Sequence, residues 1–348
     1  MVGREAGGRG TGAGTLPVTR VPHRDIGLTR LGLGTAQLGN LYRETTEEEA
    51  AGAIDAAWDA GIRYFDTAPH YGLGLSERRV GRLLGTRPRD EYVISTKIGR
   101  LLVPDPGGAG RDVEGFDVPA TTRRVRDYSR DGVLRSLDGS LRRLGLDRVD
   151  ILYIHDPDEY WEQASVEAVP ALVALRDEGV IGAIGVGMNQ SEMPARFVRE
   201  CDIDLVMLAG RYTLAEQGAL DELLPLAEAR GVGIVIAGVY NSGLLSQARP
   251  AAHATYDYGT APESVVARVQ RIADVCERWG VTVPEVALAF VRAHPAVVTT
   301  VVGARTEAQV TSNVARARTE VPAALWDELR AEGLLATGAP VPTAGSSV

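Results

Sequence analysis

The sequence predicts one α/β domain built as a (β/α)8 TIM barrel. Three observations carry that expectation. One phrase recurs along the chain: an amphipathic helix, a glycine stop, then a short apolar strand. Eight strand candidates alternate with roughly eight helices, the count a closed parallel barrel needs. The glycines in and after the first strand fail the pattern of the competing architecture, an open nucleotide-binding sheet.

Residues 1–20 are rich in Gly, Ala and Thr and read as a tail; 21–334 form the barrel, and 335–348 a second tail. The first strand candidate is Leu31–Thr35. Gly32 and Gly34 within it and Gly39 after it are not at G-x-G-x-x-G spacing, and no helix opens there. The first helix signal comes later, in the capping box Thr46-Glu47-Glu48-Glu49. Ala50, Ile54, Ala57 and Trp58 give that helix one apolar face, Gly61 ends it, and Ile62–Asp66 is the second strand. Tyr92–Thr96 is the third. Gly145 precedes Val149–Ile154, Gly179 precedes Val180–Val186, and Gly231 precedes Val232–Ala237; Leu205–Leu208 and Val297–Val301 complete the eight. Two connections are long, Arg100–Tyr128 and Asn241–Ala261. Both follow strand C-termini, the end of a barrel that carries active sites, and loops of that length are commonly functional.

Composition narrows the function classes. The chain has 348 residues, 45% hydrophobic and 24% charged, with 37 Lys+Arg against 46 Asp+Glu. A net charge of −9 argues against general binding to nucleic acid or anionic membranes. No apolar run is long enough to span a bilayer, the N-terminus lacks the apolar core of a signal peptide, and Cys201 and Cys276 are too few for a disulfide framework. A cytoplasmic location fits best. The five histidines (His23, His70, His155, His253, His294) show no metal-ligand spacing, so no metal is expected. Oligomeric state is not legible. One detail is sharp: of 37 basic residues, Lys97 is the only lysine. A chain so biased toward arginine keeps one compact ammonium where a forked guanidinium would not serve.

Four titratable residues come from the ends of three consecutive strands and the loop after one of them. Asp66 closes the second, Tyr71 lies in the loop after it, Lys97 closes the third and His155 the fourth. Each alone has an ordinary structural reading; Asp, for instance, is a common turn residue. Together they suit proton transfer coupled to hydride transfer. An ammonium beside a phenol favours the phenolate, a carboxylate holds the ammonium, and the phenol gives a proton to a forming alkoxide or takes one from an alcohol. His155 would orient the same oxygen. Two other readings use the same residues: a Schiff-base aldolase with Lys97 as nucleophile, and a non-catalytic coenzyme-binding regulatory subunit.

Phe65-Asp66-Thr67-Ala68-Pro69-His70-Tyr71-Gly72, Ser95-Thr96-Lys97 and Tyr153-Ile154-His155 resemble the three signature segments of the aldo-keto reductases, over about Leu31 to Leu329. The resemblance implies a barrel that binds extended NAD(P) without a Rossmann fold. It also implies a catalytic tetrad of Asp66, Tyr71, Lys97 and His155, with Tyr71 as general acid/base. For the coenzyme it points to Thr35 and Asp66, to Asn189 in Gly187-Met188-Asn189, and to Ser242, Gly243 and Leu244 over the diphosphate. Gly303, Arg305, Gln309 and Asn313 would meet the adenosine. Met188 stands where the family commonly has Ser, Ala209 where Gln is common, and Ala237-Gly238 where an aromatic ring often stacks on the nicotinamide. Thr306 to Gln309 also reads as a capping box, and a helix N-terminus is itself an anion site. Arg211-Tyr212-Thr213-Leu214 with Glu216-Gln217, and Tyr240 to Leu245, look most like the branch that oxidises sugars and related cyclic hemiacetals, which includes D-threo-aldose 1-dehydrogenases and pyridoxal 4-dehydrogenase. The expected partner is thus a small carbonyl, alcohol or sugar, with general aldehyde or ketone reduction as the alternative. The coenzyme is NAD or NADP; NAD is favoured, because Arg305 is the only base in the segment before the eighth helix.

Overall fold

The protein is described by a computed structural model covering residues 16–343 apart from 252 and 258. Eight parallel strands close on themselves: β1 Leu31–Gly34, β2 Tyr64–Asp66, β3 Val93–Ile98, β4 Ile151–His155, β5 Ala183–Met188, β6 Leu205–Ala209, β7 Gly233–Ala237 and β8 Val297–Gly303. Each predicted strand is present, shifted by one to three residues at its ends. Neighbouring strands pair in sequence order, and β8 closes the ring on β1 through pairs such as Val301 with Gly32. Ten helices of eight residues or more surround the strands among the described residues.

The helix punctuation follows the sequence. Thr46 and Glu49 form the reciprocal capping box, with each backbone N–H 3.0 Å from the other side chain's oxygen. Gly61, Gly145, Gly179 and Gly231 all take the left-handed backbone that stops a helix. Gly39 and Gly72 serve a different need. A Cβ on Gly72 would lie 2.1 Å from the Gly39 carbonyl oxygen, so the loop bearing Tyr71 presses backbone to backbone on the loop after β1.

Inside the barrel Tyr64, Tyr153, Leu205, Met207, Val235 and Val298 fill the space between the strands. The bottom is closed by an antiparallel hairpin, Val18–Arg20 against Gly27–Thr29, whose Val21 and Leu28 join that inner cluster. Here the expected boundaries need correction. The N-terminal tail does not extend to residue 20: Leu16 is in the core and Val18–Arg20 is a strand. At the other end Leu335 and Ala339 are buried, and the Ala336 N–H donates to Gln217 Oε1 at 2.6 Å, so the chain stays docked past residue 334. Both segments carry apolar side chains that find a receiving surface, which composition alone does not reveal. Residues 1–15 and 344–348 lie outside the described residues.

The two long connections stand at the C-terminal mouth. The first is an antiparallel hairpin, Arg100–Pro104 with Thr122–Arg126. Its tip docks on the loop after β1, with the Tyr42 N–H donating to Gly115 O at 2.8 Å and the Asp117 N–H to Asn40 O at 2.9 Å. The second, after β7, carries a one-turn helix at Asn241–Gly243 and a short ladder of Thr255–Tyr256 with Gly259–Thr260.

Candidate active site

Strand ends bring the four expected residues together. Lys97, at the end of β3, is 2% exposed. Its Nζ donates to Asp66 Oδ2 at 2.7 Å, to the Thr67 carbonyl at 2.9 Å and lies 3.0 Å from the Tyr71 hydroxyl. An ammonium has three N–H groups, and all three are engaged. Asp66 Oδ1 accepts from Ser95 Oγ at 2.7 Å, and Ser95 is linked through Tyr64 to Tyr153, a buried hydroxyl chain below the site. His155 stands edge-on to Tyr71, ring centroids 6.0 Å apart.

The electrostatics follow from this burial. For Lys97 burial works against the charge, but the Asp66 carboxylate and Tyr71 outweigh it and hold the amine above its ordinary range. Burial raises the Asp66 carboxyl, and Lys97 and Ser95 pull it back only in part. For Tyr71 the net direction is upward, because burial outweighs the pull of Lys97 toward phenolate. The expected lowering is therefore only one of two opposed effects, and it is the smaller. Burial, reinforced by Arg100 and Lys97, takes His155 well below its ordinary value, so its imidazole stays neutral. Burial and Arg100 likewise push His70 down to about 2.

These residues open onto a cavity of about 1040 Å³ at the barrel mouth. It continues from Tyr71 and His155 past Asn189 and Tyr240 to Ser242, Gly303, Arg305, Gln309 and Asn313. Thr35 is on its wall, with its hydroxyl donating to the Asp66 carbonyl at 2.7 Å. Gln309 caps the last segment from both sides: its N–H reaches Thr306 Oγ1 at 3.3 Å and its Oε1 accepts from the Arg305 N–H at 2.8 Å. That is half of the expected box, since the Gln309 side chain caps Arg305 rather than Thr306. Met188, Ala209, Ala237 and Gly238 also line the cavity. Leu244 is the exception among the expected contacts. It is 1% exposed in the hydrophobic core, and its N–H is spent on Asn241 O at 3.1 Å.

Arg305 is placed differently from a free phosphate-binding cation. Its guanidinium donates to Thr45 Oγ1 at 2.8 Å, Leu41 O at 2.8 Å and Arg43 O at 3.2 Å, and it is 8% exposed. It ties the eighth βα segment to the loop after β1. Arg316, one turn beyond Asn313, lies over the Tyr240 ring and on the cavity wall.

Several lining residues were not singled out from the sequence. Phe116, from the first long hairpin, packs 6.1 Å from the Tyr71 ring and 5.1 Å from His70. Arg100, Glu114 and Asp156 line the same end. Loop length was the signal for the hairpin. For Asp156 the only signal was its place directly after His155.

An eight-stranded parallel barrel with this quartet at its C-terminal mouth defines a class of protein. A family model described as the Aldo/keto reductase family matches residues 30–331, and the chain belongs to that family of oxidoreductases. Among curated relatives, D-threo-aldose 1-dehydrogenase of a Pseudomonas species is 47% identical over 316 residues, covering 90% of this chain and 96% of that one. Pyridoxal 4-dehydrogenase of Microbacterium luteolum is 38% identical, covering 88% and 95%. L-Galactose dehydrogenase of Arabidopsis thaliana is 31% identical, covering 86% and 88%. Among solved structures, the glycerol dehydrogenase from Gluconobacter oxydans superimposes with a TM-score of 0.72 at 24% identity, covering 95% of this chain and 98% of that one; this likeness is one of fold. No helix among the described residues is long and apolar enough to cross a membrane.

Proposed function

We propose that the protein is an NAD(P)-dependent dehydrogenase of sugar hemiacetals, interconverting an aldose with its lactone, with Tyr71 as general acid/base. The observation that carries this reading is the Lys97 ammonium held between Asp66 and the Tyr71 hydroxyl, at 2.7 and 3.0 Å, beside a neutral His155. The kinship with an aldose 1-dehydrogenase supports the substrate class.

The cavity fits an extended dinucleotide, being a single space that runs from the quartet to the N-terminus of the helix Glu307–Ala317. Asn189 would hold the carboxamide, Ser242 and Gly243 the diphosphate, and Gly303, Gln309 and Asn313 the adenosine. When bound, the nicotinamide accepts or supplies the hydride. The chain's own residues handle the proton. In oxidation Tyr71 takes the proton of the anomeric hydroxyl as the C1 hydride leaves; in reduction it returns one to the carbonyl oxygen. Lys97 stabilises the phenolate formed in the first direction, and Asp66 fixes Lys97. His155, uncharged, donates a hydrogen bond to the reacting oxygen and sets its orientation.

A spectrophotometric screen at 340 nm of aldoses and small aldehydes, with NAD and NADP in both directions, tests the proposal. Turnover of aldoses is expected. Turnover of none of these substrates with either coenzyme contradicts it, and borohydride trapping of a substrate on Lys97 would replace it with the aldolase reading.

A further inference from the structure

Beside His155 the cavity wall changes character. Arg100, Glu114 and Asp156 face the same end, and none has a role in proton transfer. Asp156 Oδ2 pairs with Arg100 Nη2 and lies 3.6 Å from His155 Nε2. Oδ1 accepts no hydrogen bond among the described residues, although the side chain is 25% exposed on the cavity. The Asp156 backbone is left-handed, φ 43°, a conformation that only Gly, Asn and Asp take readily. It is clamped there by Tyr128 Oη donating to its carbonyl at 2.9 Å and by its own N–H on Gly187 O at 3.0 Å. The fold thus holds a carboxylate with an uncommitted acceptor one ring away from the reacting oxygen.

The charges around it are matched. Arg100 is engaged by Asp156 with Glu114 at 3.5 Å, Arg124 is bonded to Asp112 at 2.6 Å, and Lys97 is spent on Asp66. Among the described residues, neither of the cations that line this end of the cavity, Lys97 and Arg100, is left unpaired for a phosphate or carboxylate on the substrate.

We propose that Asp156, positioned by Arg100, is a specificity-determining residue that accepts a hydrogen bond from a hydroxyl next to the reacting carbon, selecting neutral polyhydroxylated substrates over plain or anionic aldehydes. This rests on the hydride-transfer reading above. Vicinal oxygens in a sugar are roughly one hydrogen-bond length, about 2.8 Å, apart, so hydroxyls on adjacent carbons can reach two side chains as close as His155 and Asp156, whose Nε2 and Oδ2 are 3.6 Å apart. A site built around a substrate hydroxyl rejects the analogue that lacks it far more strongly than an apolar pocket rejects a missing methylene.

The test is reductive kcat/KM with NADH for glyceraldehyde, propanal and glyceraldehyde 3-phosphate. Wild type is compared with Asp156→Asn, which keeps the shape and tolerates the left-handed backbone, and with Arg100→Met. Melting temperature and NADH affinity are measured on each protein. Wild type is expected to prefer glyceraldehyde over both others by tenfold or more, and Asp156→Asn to lower the glyceraldehyde-to-propanal ratio at least tenfold. Arg100→Met is expected to lower that ratio in the same direction. Equal losses on glyceraldehyde and propanal would make Asp156 merely structural, and an unchanged ratio would leave it without a part in selection; either overturns the proposal while hydride transfer stands. A wild-type preference for the phosphorylated aldehyde overturns it too. Failure of wild type to reduce any of the three, with aldoses also inert in the oxidative screen, removes both readings together.

Discussion

Lys97 has three N–H groups and three acceptors, so its position is fixed by hydrogen bonds in three directions. Arginine keeps the charge but spreads its donors over a planar fork. Lys97→Arg is therefore expected to lose nearly as much kcat as Lys97→Ala, and near-normal turnover of the arginine variant would show that charge alone suffices. The Tyr71 phenol is raised by burial despite Lys97, so it is protonated at neutral pH and ready to act as an acid. The sign then follows: oxidation needs phenolate and should climb with pH into the alkaline range, whereas reduction should fall there. Lys97→Met, with the stabilising charge gone, should push the oxidative profile to still higher pH. A flat oxidative profile from pH 7 to 10 would exclude Tyr71 as the titrating base. At this scale the sequence was informative about identity and silent about environment. A solitary lysine, two strand-end residues and a tyrosine in the loop between strands pointed to the quartet, but how deeply Tyr71 is buried depends on Phe116, which arrives from a hairpin tip 45 residues downstream. Asp156 was missed for the same reason, since its partner Arg100 comes from another loop.

At the scale of elements, glycine stops and the Thr46–Glu49 box were legible because they act within a few residues of themselves. The bottom hairpin was not. Its strands are three residues each, too short for alternation to register, and they follow a Gly-rich lead. Leu16 nonetheless sits in the core and Val21 in the barrel floor. Removing residues 1–15 is expected to leave melting temperature nearly unchanged, while removing 1–20 should cost about 3 kcal/mol through loss of the buried Leu16 side chain and of the short ladder. Equal melting temperatures for the two truncations, by calorimetry, would show that the hairpin contributes nothing. The eighth segment gave half of its expectation. Arg305 reads in sequence as the base before the last barrel helix, yet its guanidinium is buried and spends three of its five N–H donors on Leu41, Arg43 and Thr45. A 2′-phosphate carries close to two negative charges and needs uncommitted donors. NAD is expected to exceed NADP in kcat/KM, and Arg305→Ala to weaken both coenzymes together by loosening the loop after β1. An NADP preference above tenfold, abolished in Arg305→Ala, would show the opposite.

Seen whole, the barrel brings two neutral histidines under the mouth in a field of guanidinium groups. Folded His70 is depressed to about 2 and His155 well below its usual value, each first by burial and then by Arg100. Their contribution to stability is present above the ordinary imidazole pKa near 6.5 and is lost as pH falls below it, because the unfolded chain takes protons that the folded one refuses. Each such histidine steepens the acid loss by about 1.4 kcal/mol per pH unit. Urea unfolding of wild type and His70→Gln between pH 7 and 5 checks this: the variant should show the shallower slope, and identical slopes would mean that His70 is protonated in the fold. Eight strands, their order and the mouth as the site were readable because the helix–glycine–strand phrase repeats, and repetition is what a single chain can display. Where the cavity turns polar was not readable, since it is made by contacts between loops far apart in sequence.

The proton-transfer role of Tyr71 is tested most directly by replacing it with phenylalanine, which removes one hydroxyl and keeps the ring packed against Phe116 and His155. Coenzyme binding, followed by NADH fluorescence, and aldose oxidation, followed at 340 nm, should be measured on the same protein. Binding is expected within about twofold of wild type and kcat lowered by about 10²–10⁴, the usual worth of a positioned acid or base. A Tyr71→Phe variant that keeps more than half of its turnover would contradict the assignment.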